Sequence, residues 1–132
     1  MPTPDTLERF IARVEQGAHV EAILDFYTEG ASMQENMGAP RVGREFLAAG
    51  ERKVLAKTKA VHSQCVRPVF QQGDKVVIRW IFRFERLDGT VMQMEELAYQ
   101  RWEGERIAEE QFFYDPAQMA AAPAPAQRTR AL

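Results

Sequence analysis

The residues best placed to do chemistry are two glutamate doublets, Glu95-Glu96 and Glu109-Glu110, in the stretch EELAYQRWEGERIAEEQFFYDP. This stretch reads as two strands joined by a short turn, and successive side chains of a strand point to opposite faces. Each doublet therefore sends one carboxylate toward a core and one away from it. A carboxylate withdrawn from water is unfavourable unless it is paired or keeps its proton. Two that come close in an apolar setting raise each other's pKa, so one can hold a proton at neutral pH and serve as an acid or a hydrogen-bond donor. Neighbouring arginines, backbone amides or water would satisfy the same carboxylates structurally. Hard cations also accept oxygen ligands, but no metal-site spacing motif is present and no metal is assigned.

The elements that must hold these groups follow from hydrophobic spacing. Leu7, Phe10, Ile11 and Val14 form an i, i+3, i+4, i+7 stripe behind Pro4, and Asp5 and Glu8 have capping-box spacing, which predicts an amphipathic helix. Gly17 breaks it. A second helix from His19 is expected to bury Val20, Ile23, Leu24 and Tyr27 and to end at Gly30. ASMQEN then alternates as a short strand, MGAPRVG supplies a turn, and a third helix is expected to present Phe46, Leu47, Val54 and Leu55 on one side. From Ala60 the period becomes two. AVHSQCVRPVF is a strand in which Pro68 marks an edge or a bulge. KVVIRWIFRFERL places Val76, Ile78, Trp80, Phe82 and Phe84 on one face, and Asp88-Gly89 and Gly104 mark the turns of an antiparallel meander.

Composition narrows the class. The chain has 132 residues, 45% of them hydrophobic, and a formal charge of -2, which suits one domain with one core and gives no basic face for nucleic acid. It contains no apolar run of membrane-spanning length and no targeting pattern in MPTPDTLERF, so a cytoplasmic protein without membrane association is expected. Cys65 is the sole cysteine, which excludes an internal disulfide and a cysteine-rich zinc site and leaves it as a small buried hydrophobe. The segment 120–132 is low in complexity and poor in large apolar residues, so a disordered tail is expected there.

The element order, with GAHVEAILDFYTEGASMQE, VGREFL and the closing FFYDP, resembles the nuclear transport factor 2-like, or SnoaL-like, superfamily over residues 1–119. The resemblance implies an α+β fold with N-terminal helices packed on a curved antiparallel sheet that forms a cone-shaped pocket. Its members include isomerases, polyketide cyclases, dehydratases and epoxide hydrolases, as well as proteins that only bind or dimerise. Comparison with ketosteroid isomerases puts their tyrosine donor at Phe10, their general-base aspartate at Glu35, and their protonated aspartate at Ala98. A slip of one residue puts Asn36 at the base position instead. Both oxyanion donors are thus missing, and a steroid isomerase is not indicated.

On the same comparison Met92, Met94, Glu96 and Ala98 face the pocket from one strand, and Ala108, Glu110, Phe112 and Tyr114 from the next. A three-residue connection, Glu103-Gly104-Glu105, would set Ala98 opposite Glu110 and Glu96 diagonal to it. The resulting site has Glu35 as base and Glu110, with Glu96, as acid or orienting group, in a lining of Met33, Trp80, Phe82, Met94, Phe112 and Tyr114. His19 and His62 read as surface or capping residues. This implies a cofactor-independent isomerase, cyclase, dehydratase or hydrolase acting on a small apolar molecule. The alternative is a non-catalytic ligand-binding or assembly domain of the same fold. The outward Glu95 and Glu109 share a face with Arg79, Arg83 and Arg101 and with Val77, Ile81, Leu97, Tyr99 and Phe113, a face too apolar for water, so a homodimer through it is expected.

Overall fold

The switch from helical to two-residue periodicity near residue 58 is where the chain passes from helices to sheet. In the computed structural model of the chain, which describes residues 1–120, the order is α1 (Pro4–Glu15), α2 (His19–Phe26), β1 (Tyr27–Glu35), β2 (Arg41–Val42), α3 (Arg44–Ala56), β3 (Thr58–Gln72), β4 (Lys75–Arg86), β5 (Val91–Glu103), β6 (Arg106–Phe113) and a 3₁₀ turn, Pro116–Met119. The strands form one sheet in the order β2-β1-β6-β5-β4-β3. Every pairing is antiparallel except that of β1 with β6. The fold is therefore α+β, with the helices on one face of the sheet. The tail expected over 120–132 lies, beyond Ala120, outside the described residues. No described helix is long and apolar enough to cross a membrane.

The stripe of α1 is buried as its spacing requires: Leu7, Phe10, Ile11 and Val14 are all in the core. Full burial of such side chains stabilises by about 1.5–3 kcal/mol each. The cap differs from expectation. Thr3, not Asp5, accepts from a backbone amide, that of Thr6, and Pro4 takes the first helical position, where its missing N–H is harmless.

The boundary of α2 also differs. The helix stops at Phe26, and β1 begins at Tyr27, which pairs with Ile107 of β6; the strand continues past Gly30 through an irregular stretch and regains β6 at Ser32 opposite Glu109. Ala22 and Phe26 join Val20 and Ile23 in the core, while Leu24 is half-buried. The buried strip of α3 is narrow. Leu47 and Ala48 are buried and Leu55 partly so, whereas Phe46 and Val54 are 62% and 44% exposed. A helix laid over α2 and β1 touches them along one ridge, and these two side chains fall off it.

Strand β3 is the sheet edge, and its register shifts between Val66 and Phe70 around Pro68, where a ladder donor is lacking. On β4, Val76, Ile78, Trp80 and Phe84 are buried, and on β5 every second residue from Met92 to Trp102 is buried. The β5–β6 hairpin turns on two residues, Gly104-Glu105, with Gly104 at φ +59 as a tight turn requires, so Glu103 pairs with Arg106. A bulge then shifts the register between Arg101 and Trp102. Its extra residue is Ala108, which is buried together with Ile107.

Candidate functional site

Turn and bulge together fix what faces Glu110. Instead of Ala98, the residue opposite is Gln100, and Ala98 lies opposite Phe112. Sequence parity correctly gives the inward face, but the shorter turn and the bulge, one residue each, together move the pairing by one inward position. Glu96 is consequently not diagonal to Glu110 but further along β5, beside Trp80 on β4.

The two buried carboxyls have different surroundings. Glu110, 3% exposed, accepts from Gln100 Nε2 at 2.7 Å and from the Tyr27 hydroxyl, and the Trp102 indole N–H donates to Gln100 Oε1 at 2.9 Å. This chain orients Glu110 through groups on β1 and β5. Burial pushes its pKa up to about 7 against those hydrogen bonds, which favour the charged form. Glu96, 8% exposed, makes no side-chain hydrogen bond to the described residues and borders the cavity. Burial, then the charges of Glu110, Glu35 and Glu51, push it up to about 8, so it holds its proton at neutral pH. Burial and Glu110 also hold the Tyr27 hydroxyl well above the usual phenol range.

Glu35 occupies the mouth. It continues the inward face of β1 beyond Ala31 and Met33, yet its side chain is 43% exposed and its Oε2 meets Arg41 Nη2 at 2.6 Å. All three glutamates border one cavity of ≈ 220 Å³, and so do Met33, Trp80, Phe82, Met94, Phe112 and Tyr114. Trp80 and Phe82 stack with centroids 5.4 Å apart. Phe10, buried edge-on to Tyr27 and Trp102, closes the inner end with carbon. At the outer end Tyr114 packs on Phe84, Met92 and Met94, its backbone N–H held by Asn36 Oδ1 at 3.0 Å. The 3₁₀ turn brings Met119 to the rim. Gln118 pins it there by bonding the backbone N–H and C=O of Glu95, as a continuation of β6 would.

A second acid–base pair was not evident from sequence. His19, only 11% exposed in its side chain, borders the cavity from the start of α2. Its Nδ1 lies 3.2 Å from Glu51 Oε1 on α3 and its Nε2 2.8 Å from Ser63 Oγ on β3, with Phe82 edge-on at 5.5 Å. It is therefore neither a surface residue nor a cap. Nothing in the spacing of His19, Glu51 and Ser63 links them, since they lie on three separate elements. Gln100 was more accessible, because it sits at inward parity between Ala98 and Trp102. His62 lies on the outer surface, 2.7 Å from Glu85. Cys65 is buried, and burial raises its thiol pKa. Among the described residues no three of His, Cys, Asp or Glu come together as a metal ion would need.

The SnoaL-like domain family profile matches residues 7–110, most of the chain. The sequence finds no match among curated proteins. Among solved structures, an NTF2-like protein of unknown function from Burkholderia pseudomallei K96243 is similar at a TM-score of 0.73 and 14% identity, over 87% of this chain and 92% of that one. A protein of Jannaschia sp. CCS1 assigned as a SnoaL-like polyketide cyclase aligns at 0.72 and 15% identity, over 95% and 98%. TerC, co-crystallised with polyporic acid, aligns at 0.71 and 14%, over 87% and 92%. At these identities the likeness establishes the fold, one related to polyketide cyclases and isomerases, and not an activity.

Proposed function

Since this chain belongs to the SnoaL-like domain family, we propose that it is a cofactor-independent acid–base enzyme acting on a small, mostly apolar molecule held between the helices and the sheet. The observation that carries this reading is Glu96, a buried carboxyl without a partner in an apolar cavity, kept protonated at neutral pH. Such a group can donate to an oxygen on which charge develops. Glu35, with one oxygen engaged by Arg41, offers its other oxygen as the base that takes a proton from carbon. Glu110, already committed to Tyr27 and Gln100, orients the site and adds to the field that keeps the proton on Glu96. Proton transfer of this kind serves isomerisation, cyclisation, dehydration or hydrolysis.

The test is α-hydrogen exchange. Small enolisable aryl ketones incubated in D₂O should gain deuterium faster with the protein, and Glu96→Gln and Glu35→Gln should each slow this by roughly 10²–10⁴-fold. Equal exchange by wild type and both variants, on a ketone that the protein accelerates, would remove these residues from the mechanism.

We propose in addition that two copies associate through the outer sheet face. Leu97 and Tyr99 are 45% and 42% exposed there, beside half-buried Val77, Ile81 and Phe113. The pairs Arg79–Glu95 and Arg101–Glu109 frame this patch with balanced charge, which a second copy can meet without repulsion.

A further inference from the structure

We propose that the molecule accepted by this cavity carries an organic cation, a tertiary amine or quaternary ammonium centre, seated between the Glu96 carboxylate and the aromatic wall of Trp80, Phe82 and Phe112. This rests on the cavity being the ligand site, as proposed above, and names the chemical class of the ligand. Carboxyls border the cavity at Glu35, Glu51, Glu96 and Glu110. The first is held by Arg41, the second by His19, and the last by Tyr27 and Gln100. Glu96 alone among them has no protein donor within the described residues, although it is 8% exposed.

No donor or cation on the wall is bonded to Glu96, and the Tyr114 hydroxyl and Trp80 indole N–H, which also line the cavity, make no hydrogen bond to it. Arg41 lies 2.6 Å from Glu35, and both ring nitrogens of His19 are taken by Glu51 and Ser63. A ligand in the cavity can supply the partner that Glu96 lacks. Its charge follows from the field. The groups facing Glu96 are Glu110 from β6, Glu35 from β1 and Glu51 and His19 from the helices, with Tyr27 and Tyr114, and the carboxylates act on Glu96 so as to disfavour a further negative charge. The same field favours a positive one. Trp80, its cross-strand neighbour, and Phe82, stacked on each other, both border the cavity, and aromatic rings attract alkylammonium groups. The volume of ≈ 220 Å³ equals roughly seven waters at about 30 Å³ each, room for a trialkylammonium head and a short tail. With a tertiary amine, the Glu96 proton moves to the amine nitrogen and leaves a carboxylate–ammonium pair, whose N–H is then the acid that the free protein carries on Glu96. A quaternary ammonium has no lone pair to receive it, so the proton passes to solvent and such a ligand is bound but not turned over.

The experiment is calorimetric titration of the wild-type protein with choline and with its neutral isostere 3,3-dimethylbutan-1-ol, each in two buffers of different ionisation heat. Choline should bind at least roughly tenfold more tightly. It should release about one proton at pH 7, and its affinity should rise with pH and level off near the Glu96 pKa of about 8. Glu96→Gln should lose both the preference and the pH dependence; if that variant does not fold, the wild-type comparison decides alone. Equal or tighter binding of the neutral alcohol overturns the cation and leaves the cavity as a ligand site. Binding of neither overturns both.

Discussion

Glu96 and Glu110 project from adjacent strands into one interior, and the difference between them is the company each keeps. Glu110 is surrounded by donors, Glu96 by carbon and other carboxylates. This has a consequence for stability. The ordinary value for Glu96 is 4.5 and the folded value about 8. Below 4.5 both folded and unfolded chains hold the proton, and the group contributes nothing. As pH rises from there the unfolded chain releases it while the folded one keeps it, so stability falls until about pH 8 and then levels. The loss is a few kcal/mol, at about 1.4 kcal/mol for each pH unit of separation. Glu96→Gln should therefore be less sensitive to pH and gain on wild type above pH 8. Urea midpoints at pH 5 and pH 9 check this, and parallel behaviour of the two proteins would contradict it. Much of the cavity lining could be read from sequence, because strand parity alone selects Met92, Met94, Glu96, Trp80 and Phe82. The partners that distinguish one carboxyl from another could not. Tyr27, His19 and Glu51 reach the site from a strand start and from helices whose approach is set by tertiary packing.

Between residues and the whole chain stand the elements, where boundaries proved harder to read than types. Leu7, Phe10, Ile11 and Val14 identified α1, and Asp88-Gly89 its meander turn, since both signals are local. The end of α2 was misplaced because pairing with β6, remote in sequence, draws Tyr27 into a strand. The hairpin register differs because the turn is one residue shorter than expected and the bulge at Ala108 adds one more, so together they keep parity while shifting partners. The face of α3 was read too broadly, and substitution separates the two assignments. Leu47→Ala should destabilise by about 2–5 kcal/mol, as a core truncation does. Phe46→Ala should change stability by no more than about 0.5 kcal/mol, as an exposed site does. Chemical denaturation measures both, and a large loss at Phe46 would mean that this ring is covered in solution.

For the molecule as a whole, the α+β architecture was legible because helical and two-residue periodicities are segregated along the chain. The proposed association has a direct readout: Tyr99→Glu paired with Leu97→Asp puts like charges on both copies and should convert a dimer to a monomer in analytical ultracentrifugation. A wild-type protein that sediments as a monomer at all concentrations would end that proposal. The sheet order carries another consequence. The parallel neighbour of β1 is β6, and Tyr27 waits for Ile107 to be synthesised. On the ribosome α1, α2 and α3 emerge first, with their apolar ridges bare and the wall they cover still unmade. Closure of the sheet on the β6 side of β1 thus waits for the last strand, and until then the apolar ridges of the helices lack part of the wall that covers them.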